Sequence, residues 1–341
     1  MKQNKRKLIG LSIISIIVGV FLMVGSYVAA NGKIGIFIDS SGVHYRYKNN
    51  PNGILGELAL AEFEQVDIQY SDVDVKFCIA DDYGISYKFG AGDLEPEISV
   101  EDGVLKVVNL TQRVRIDILS MDWKRGEITV YYPEDAFFEE IKVSAASGNI
   151  DIKNIVVNNM FIQVRDGKVN IQKGEINDLN IDVGSGNVNI EDVNAKNMMC
   201  KTRDGNNTLR NVSVKANMIL DNSSGKIKLK NILAEHLNII AIDSRIEAEE
   251  MQLQGLDIKQ TATNVMMSGK LEGESKIIST DGNVTLSLYG EYEDYNYSIN
   301  VVDGNISLDG KKEAQKTEIQ NNAENSIGIS TKSGNVTISY E

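Results

Sequence analysis

Gly148-Asn149-Ile150-Asp151-Ile152, Gly167-Lys168-Val169-Asn170-Ile171 and Gly186-Asn187-Val188-Asn189-Ile190 are three copies of one pentad, each 19 residues after the last. Complete or weaker copies follow at Gly205, Gly225, Ser244, Thr263, Gly282, Gly304 and Gly334. The steps from Gly148 to Gly282 are all 19 residues except one of 20, and the last two are 22 and 30. A second pattern, apolar-x-apolar-x-apolar, keeps the same beat at Ile141-Val143-Ala145, Met160-Ile162-Val164 and Leu179-Ile181-Val183. It continues through Met198-Cys200-Thr202, Leu237-Ile239-Ala241, Tyr297-Ile299-Val301 and Ile327-Ile329.

Alternation with period two means strands with one buried face. A unit of this length cannot bury that face alone, so equivalent units must stack. The expected fold is all-β: a single-stranded β-solenoid with coils of about 19 residues and two short strands per coil. The glycines Gly148, Gly167, Gly186, Gly205, Gly225, Gly282, Gly304 and Gly334 are read as structural turn residues, because Gly reaches positive φ without strain. The Asn that often follows, as at Asn149, Asn187 and Asn283, suits a turn and can form a ladder where copies stack.

Asn207 stands where Ile or Val belongs, and Ser244 and Thr263 replace Gly. The 30-residue step holds a polar stretch, 309–326, read as a mobile loop. The 22-residue step holds Tyr289, Tyr292, Tyr295 and Tyr297, read as hairpin packing or a contact surface. Outward positions Phe161, Met199, Ile219, Ile240 and Ile278 could align as an apolar stripe. Tyr289, Tyr292, Tyr295, Phe161 and Ile219 are the candidate interaction residues.

Residues 57–140 also read as strands, with an Asp102-Gly103 hairpin turn, and form a β-rich cap before repeats spanning 141–341. Ser71-Asp72-Val73-Asp74-Val75 looks like a degenerate first copy. Residues 31–56 are a stalk or an additional cap. Ahead of them, Leu8–Ala30 is free of charge and long enough to cross a bilayer as a helix. Lys2, Lys5, Arg6 and Lys7 precede it, so residues 1–7 are expected in the cytoplasm and everything after the single span outside. The length of the segment favours an anchor over a cleaved leader.

The net charge of −13 combines +4 over residues 1–7, which hold no acid, with −17 over the remainder. An acidic body argues against nucleic acid as a partner. His44 and His236 lack Cys or acidic neighbours at metal-ligand spacing, so neither a zinc site nor a triad is expected. Cys78 and Cys200 should be free thiols, several coils apart. The triplets Arg165-Asp166-Gly167 and Arg203-Asp204-Gly205 place two carboxylates two coils apart. Turn chemistry explains them better than a glycosidase pair. No nonapeptide calcium motif occurs. No cofactor, metal or catalytic residue is expected.

A strand ending in Tyr132-Pro133, then Ile141-Lys142-Val143-Ser144, then repeated Ser/Asp-Gly-Asn-Val-x-Ile units resembles the bacterial "putative adhesin" β-strand-repeat family. The resemblance covers residues 57–341. It implies a membrane-anchored envelope protein without enzymatic activity that binds or builds at the cell surface, with a glycan or protein partner. It also admits an accessory or regulatory role in a cell-envelope stress system.

Overall fold

The structure is a computed structural model that describes residues 34–39, 42–47, 54–89, 96–108 and 125–341. The apolar segment Leu8–Ala30 and residues 109–124 of the expected β-rich cap lie outside the described residues. In one compact unit, Ile34–Asp39 and Gly42–Tyr47 pair antiparallel, with His44 opposite Phe37. The other unit comprises Glu57–Tyr87, Pro96–Asn109 and Glu127–Glu341.

That second unit is an all-β solenoid. Ile150–Asp166 lies parallel to Val169–Ser185, and Val169–Ser185 lies parallel to Val188–Ala262, each residue facing the one 19 further on. Identical patterns in register put like on like. Ile150, Val169 and Val188 form one inward column, and Ile162, Ile181 and Cys200 another, all fully or almost fully buried. Each coil thus extends a continuous apolar core that no single coil could close.

The coil has three ladder segments, not the expected two. The pairing of Ile150–Asp166 on Val169–Ser185 breaks at residues 154 and 158, leaving a short middle segment, 155–157. Its apolar signal is only two residues long (Ile155 and Val157, then Gly174 and Ile176), too short to register as a strand in sequence. The corner before it is made by Asn154, Lys173, Asp192, Asn211, Asn231 and Glu250, all at φ between 52° and 57°. Four of the six are Asn or Asp, and Asn231, Asn211 and Asp192 are linked by side-chain hydrogen bonds; Lys173 and Glu250 share only the conformation.

Asn and Asp tolerate this left-handed region; Lys does not, at a cost of about 1–2 kcal/mol. Lys173 is exposed, so nothing but its backbone holds it there. Lys173→Gly should therefore stabilise the chain by about 0.5–1 kcal/mol, and Asn154→Gly by less. Thermal denaturation of the two variants checks this; equal shifts would refute the distinction.

The solenoid begins earlier than Ile141. Gln65–Ile79 is itself a coil: Val66 faces Ile141, and Val75 faces Ile150. Asp74 Oδ1 accepts from the Asn149 amide at 2.7 Å, so the degenerate copy at 71–75 is a true one. The chain leaves after Ile79 and returns at Phe138. The excursion supplies Val104–Val108, which pairs beneath Gln65, and Glu97–Glu101, joined to it through Asp102 and Gly103, both at positive φ.

The C-terminal order is not sequential. Val265–Asp281 carries Asn325–Ser333 on its upper edge, and only then Tyr295–Asp303. Val284–Leu288 likewise carries Val336–Tyr340, and then Ile306–Leu308. The last 17 residues are inserted between two stretches that precede them. The expected mobile loop is ordered in part as Lys311–Glu313 and Lys316–Ile319, paired antiparallel to Ile306–Leu308 and Tyr295–Asp303. Lys311, Lys312 and Lys316 sit on this cap, where lysines discourage further strand addition.

Candidate functional site

The glycine column has a role beyond turning. A Cβ on Gly167 would lie 1.8 Å from the Gly148 carbonyl oxygen, and one on Gly186 or Gly205 would lie 1.7 Å from the oxygen below. Gly148 meets Val73, Gly225 meets Gly205, Gly282 meets Thr263, Gly334 meets Gly282 and Gly304 meets Gly334 in the same way. Stacked turns approach too closely for any side chain. Beside them, the amides of Lys168, Asn206, Asn283, Asn335 and Asn305 donate to Oδ1 of Asn149, Asn187, Asn264, Asn283 and Asn335 respectively. The Asn ladder confirms the vertical order 264, 283, 335, 305.

Where Ser244 and Thr263 replace Gly, their hydroxyls donate to carbonyls of the coil below. They belong to an internal polar run. Thr202 Oγ1 donates to Asn207 Oδ1 at 2.7 Å, Asn222 Nδ2 donates to the Gly205 carbonyl, and Gln260 Nε2 donates to Ser279 Oγ. Asn207 is wholly buried and its Nδ2 has no partner.

The outward positions of the third segment form two columns. One runs Asp67, Lys142, Phe161, Asn180, Met199; the other runs Gln69, Ser144, Gln163, Asp182, Lys201. The expected apolar stripe is therefore interrupted. Asn180 separates Phe161 from Met199, and Ile278 lies beside Lys259. Ile219 is half-buried.

The columns bound a shallow groove of about 360 Å³ lined by Asp67, Gln69, Lys142, Phe161, Gln163 and Asp182, among others. Phe161 is 38 % exposed, and Lys142 Nζ lies 5.8 Å from its ring centroid. Gln69 Nε2 donates to both carboxylate oxygens of Asp67 at 3.1 Å. An aromatic face ringed by amides and carboxylates can stack on a flat apolar surface while hydrogen-bonding its polar edge.

The tyrosines separate. Tyr295 and Tyr297 are buried, so Tyr295 is not part of an outward surface; Tyr292 is half-buried and Tyr289 is 39 % exposed. Tyr297 stacks on Tyr292 with centroids 5.3 Å apart, and its hydroxyl lies 2.6 Å from that of Tyr340. This is packing that seals the end of the core.

Asp166 and Asp204 share a column, with Ser185 between them. Arg165 Nε holds Asp166 Oδ2 at 3.3 Å in an exposed pair. Cys78 and Cys200 are free thiols; burial pushes the Cys200 thiol up to about 12, so it acts as a core residue. His236 does have an acidic partner: Nε2 lies 3.1 Å from Asp257 Oδ2. Gly255 gives the ring its room, since a Cβ there would lie 2.5 Å from Nδ1. The signal was His followed one period later by Gly-x-Asp, a spacing invisible to any search for local motifs. Among the described residues, no group of three or more His, Cys, Asp or Glu side chains is placed to hold a metal ion.

In comparisons with solved structures, the chain is similar to a "putative adhesin" from Bacteroides fragilis, with 11 % identity, 84 % of this chain and 96 % of that one covered, and a TM-score of 0.37. It is similar to another from Parabacteroides distasonis (11 % identity, 85 % and 98 % covered, TM-score 0.36). A third similar structure is a "putative cell adhesion protein" from Clostridium sporogenes (12 % identity, 84 % and 99 % covered, TM-score 0.26). No curated protein matches. The family model described as Toastrack DUF4097 matches residues 63–219 and again 168–339, two overlapping spans that together take in nearly the whole solenoid. The chain belongs to the Toastrack DUF4097 family.

Proposed function

We infer that the chain is a non-enzymatic surface-binding module, held in the membrane by Leu8–Ala30, with its solenoid on the outer side. The supporting observation is the groove around Phe161, where an exposed ring sits among Gln69, Gln163, Asn180 and Asp182. That combination suits a glycan: sugar rings offer an apolar face to an aromatic side chain and hydroxyls to amides and carboxylates. A rigid solenoid repeats these outward positions at the coil spacing of about 4.8 Å, so an extended polymer meets several coils at once. The basic tail, residues 1–7, supports the orientation through the positive-inside rule.

The test uses cells that carry the full chain and surfaces coated with polysaccharides. Cells with the chain should adhere to at least one coating, and cells without it should not. Phe161→Ser combined with Ile219→Ser should reduce adhesion about tenfold, the equivalent of about 1.4 kcal/mol. Both positions point outward, so the fold should survive. Adhesion unchanged by the double substitution would remove this face from the reading, and no adhesion to any coating would remove the reading itself.

A further inference from the structure

The inserted C-terminal segment has a property that follows from its placement. Residues 325–340 fill a slot whose lower wall is 274–288 and whose upper wall is 295–308. Both walls belong to chain that precedes the segment. Val336 and Ile338 are buried in the slot, and Ile327 and Ile329 nearly so. The Asn335 amide donates to Asn283 Oδ1 on the lower wall, and Asn335 Oδ1 accepts from the Asn305 amide of the upper. The covalent link to the rest of the chain runs through the short connection 320–324 after Lys316–Ile319, where Asn322 takes a φ of 56°.

We propose that residues 325–340 are an exchangeable strand pair, and that the slot of one chain accepts this segment from a second copy. Every contact the segment makes with the two walls is the same whichever chain supplies it. Only the connection at 320–324 must change course, and swapping an identical element is a low-cost route to a dimer. Folding also favours exchange. The slot's upper wall is synthesised before the segment that fills it, so an open slot and a free segment coexist in each newly made or refolding chain. Tethering keeps the unswapped form dominant in dilute solution, because a tethered segment competes at an effective concentration on the order of millimolar. Crowded chains shift the balance toward exchange by mass action.

The test uses full-length chains in a Cys78→Ser background, with Cys200 left in place because it is buried. Ser287 and Ser339 face each other across the lower boundary of the slot, Oγ to Oγ 3.2 Å. Ser287→Cys is placed in one tagged chain and Ser339→Cys in a second. The two are unfolded, mixed at high concentration, refolded and oxidised. Exchange predicts a disulfide between the two tags, at least tenfold more abundant than when the chains are folded separately before mixing. A chain carrying both substitutions should close the bond within itself when refolded dilute. Thr285→Cys with Thr337→Cys, neighbours in the same register, repeats the measurement should the serine pair disturb folding. An internal bond in the doubly substituted chain without any bond between tags would overturn the proposal. Absence of both bonds would overturn it too, by denying the slot.

Discussion

Gly186→Ala is expected to cost about 2–6 kcal/mol and to lower the melting temperature by roughly 10 °C. Two effects add. Gly186 sits at φ 142°, a region that residues with a Cβ avoid at about 1–3 kcal/mol. The new Cβ would also lie 1.7 Å from the Gly167 carbonyl oxygen, so the stacked turns must separate, for about another 1–3 kcal/mol. Separation cannot stay local. Gly186 donates its amide to Asp204, and its own carbonyl oxygen is the atom that Gly205 rests on. In a one-dimensional stack, a broken interface between neighbours divides the cooperative unit, so the melt should broaden or split. Gly103→Ala is the control: its φ is also positive, at 72°, but nothing lies within 4 Å of the added atom. That variant should lose only about 1 kcal/mol. Equal losses in the two variants would show that conformation, and not close approach, sets the requirement for glycine.

The same column shows how far sequence could be read. The period and the inward faces were legible because each rests on a repeated apolar pair, such as Ile150 and Ile152, then Val169 and Ile171, then Val188 and Ile190. The glycines were legible as turns, but their closeness to the coil below is a property of stacking, which no single coil displays. The middle segment was lost because Ile155 and Val157 give way to Gly174 and Ile176, and because Lys173 and Glu250 carry no mark of a left-handed corner. Vertical order at the C-terminus was illegible for a different reason. Val284, Val336 and Ile306 obey one rule, so periodicity accepts any order of the three. Alternation alone placed Phe161 outward and Tyr297 inward, whereas Tyr292 lies outside any strand and could not be assigned to the ring cluster until Tyr340 was known to reach it.

That contact carries the second large effect. Tyr297 is 1 % exposed, donates its hydroxyl to the Tyr292 carbonyl at 3.0 Å and meets the Tyr340 hydroxyl at 2.6 Å. Tyr297 belongs to the upper wall of the C-terminal slot and Tyr340 to the inserted segment, so the pair fastens the two. Tyr297→Ala should cost about 3–5 kcal/mol, the usual loss for a buried aromatic ring. Tyr297→Phe keeps the ring and should cost about 1–2 kcal/mol, since it strands the Tyr340 hydroxyl. The phenols also make the end of the solenoid sensitive to alkali. Burial raises Tyr297, Tyr340, Tyr295 and Tyr292 above the ordinary phenol value, Tyr340 to about 12. An unfolded tyrosine loses its proton near pH 10. The folded chain therefore keeps protons that the unfolded chain has released. The contribution of Tyr340 is complete below about pH 10 and is lost as the pH rises through about 12, and the other three act in the same direction. Phenolate absorbance followed alongside circular dichroism should show these tyrosines ionising together with the loss of strand signal, and Tyr297→Phe should flatten that loss. Ionisation of every tyrosine near pH 10 with the strand signal intact would mean that the ring cluster does not seal the core, and that the inserted segment is held by its ladder alone.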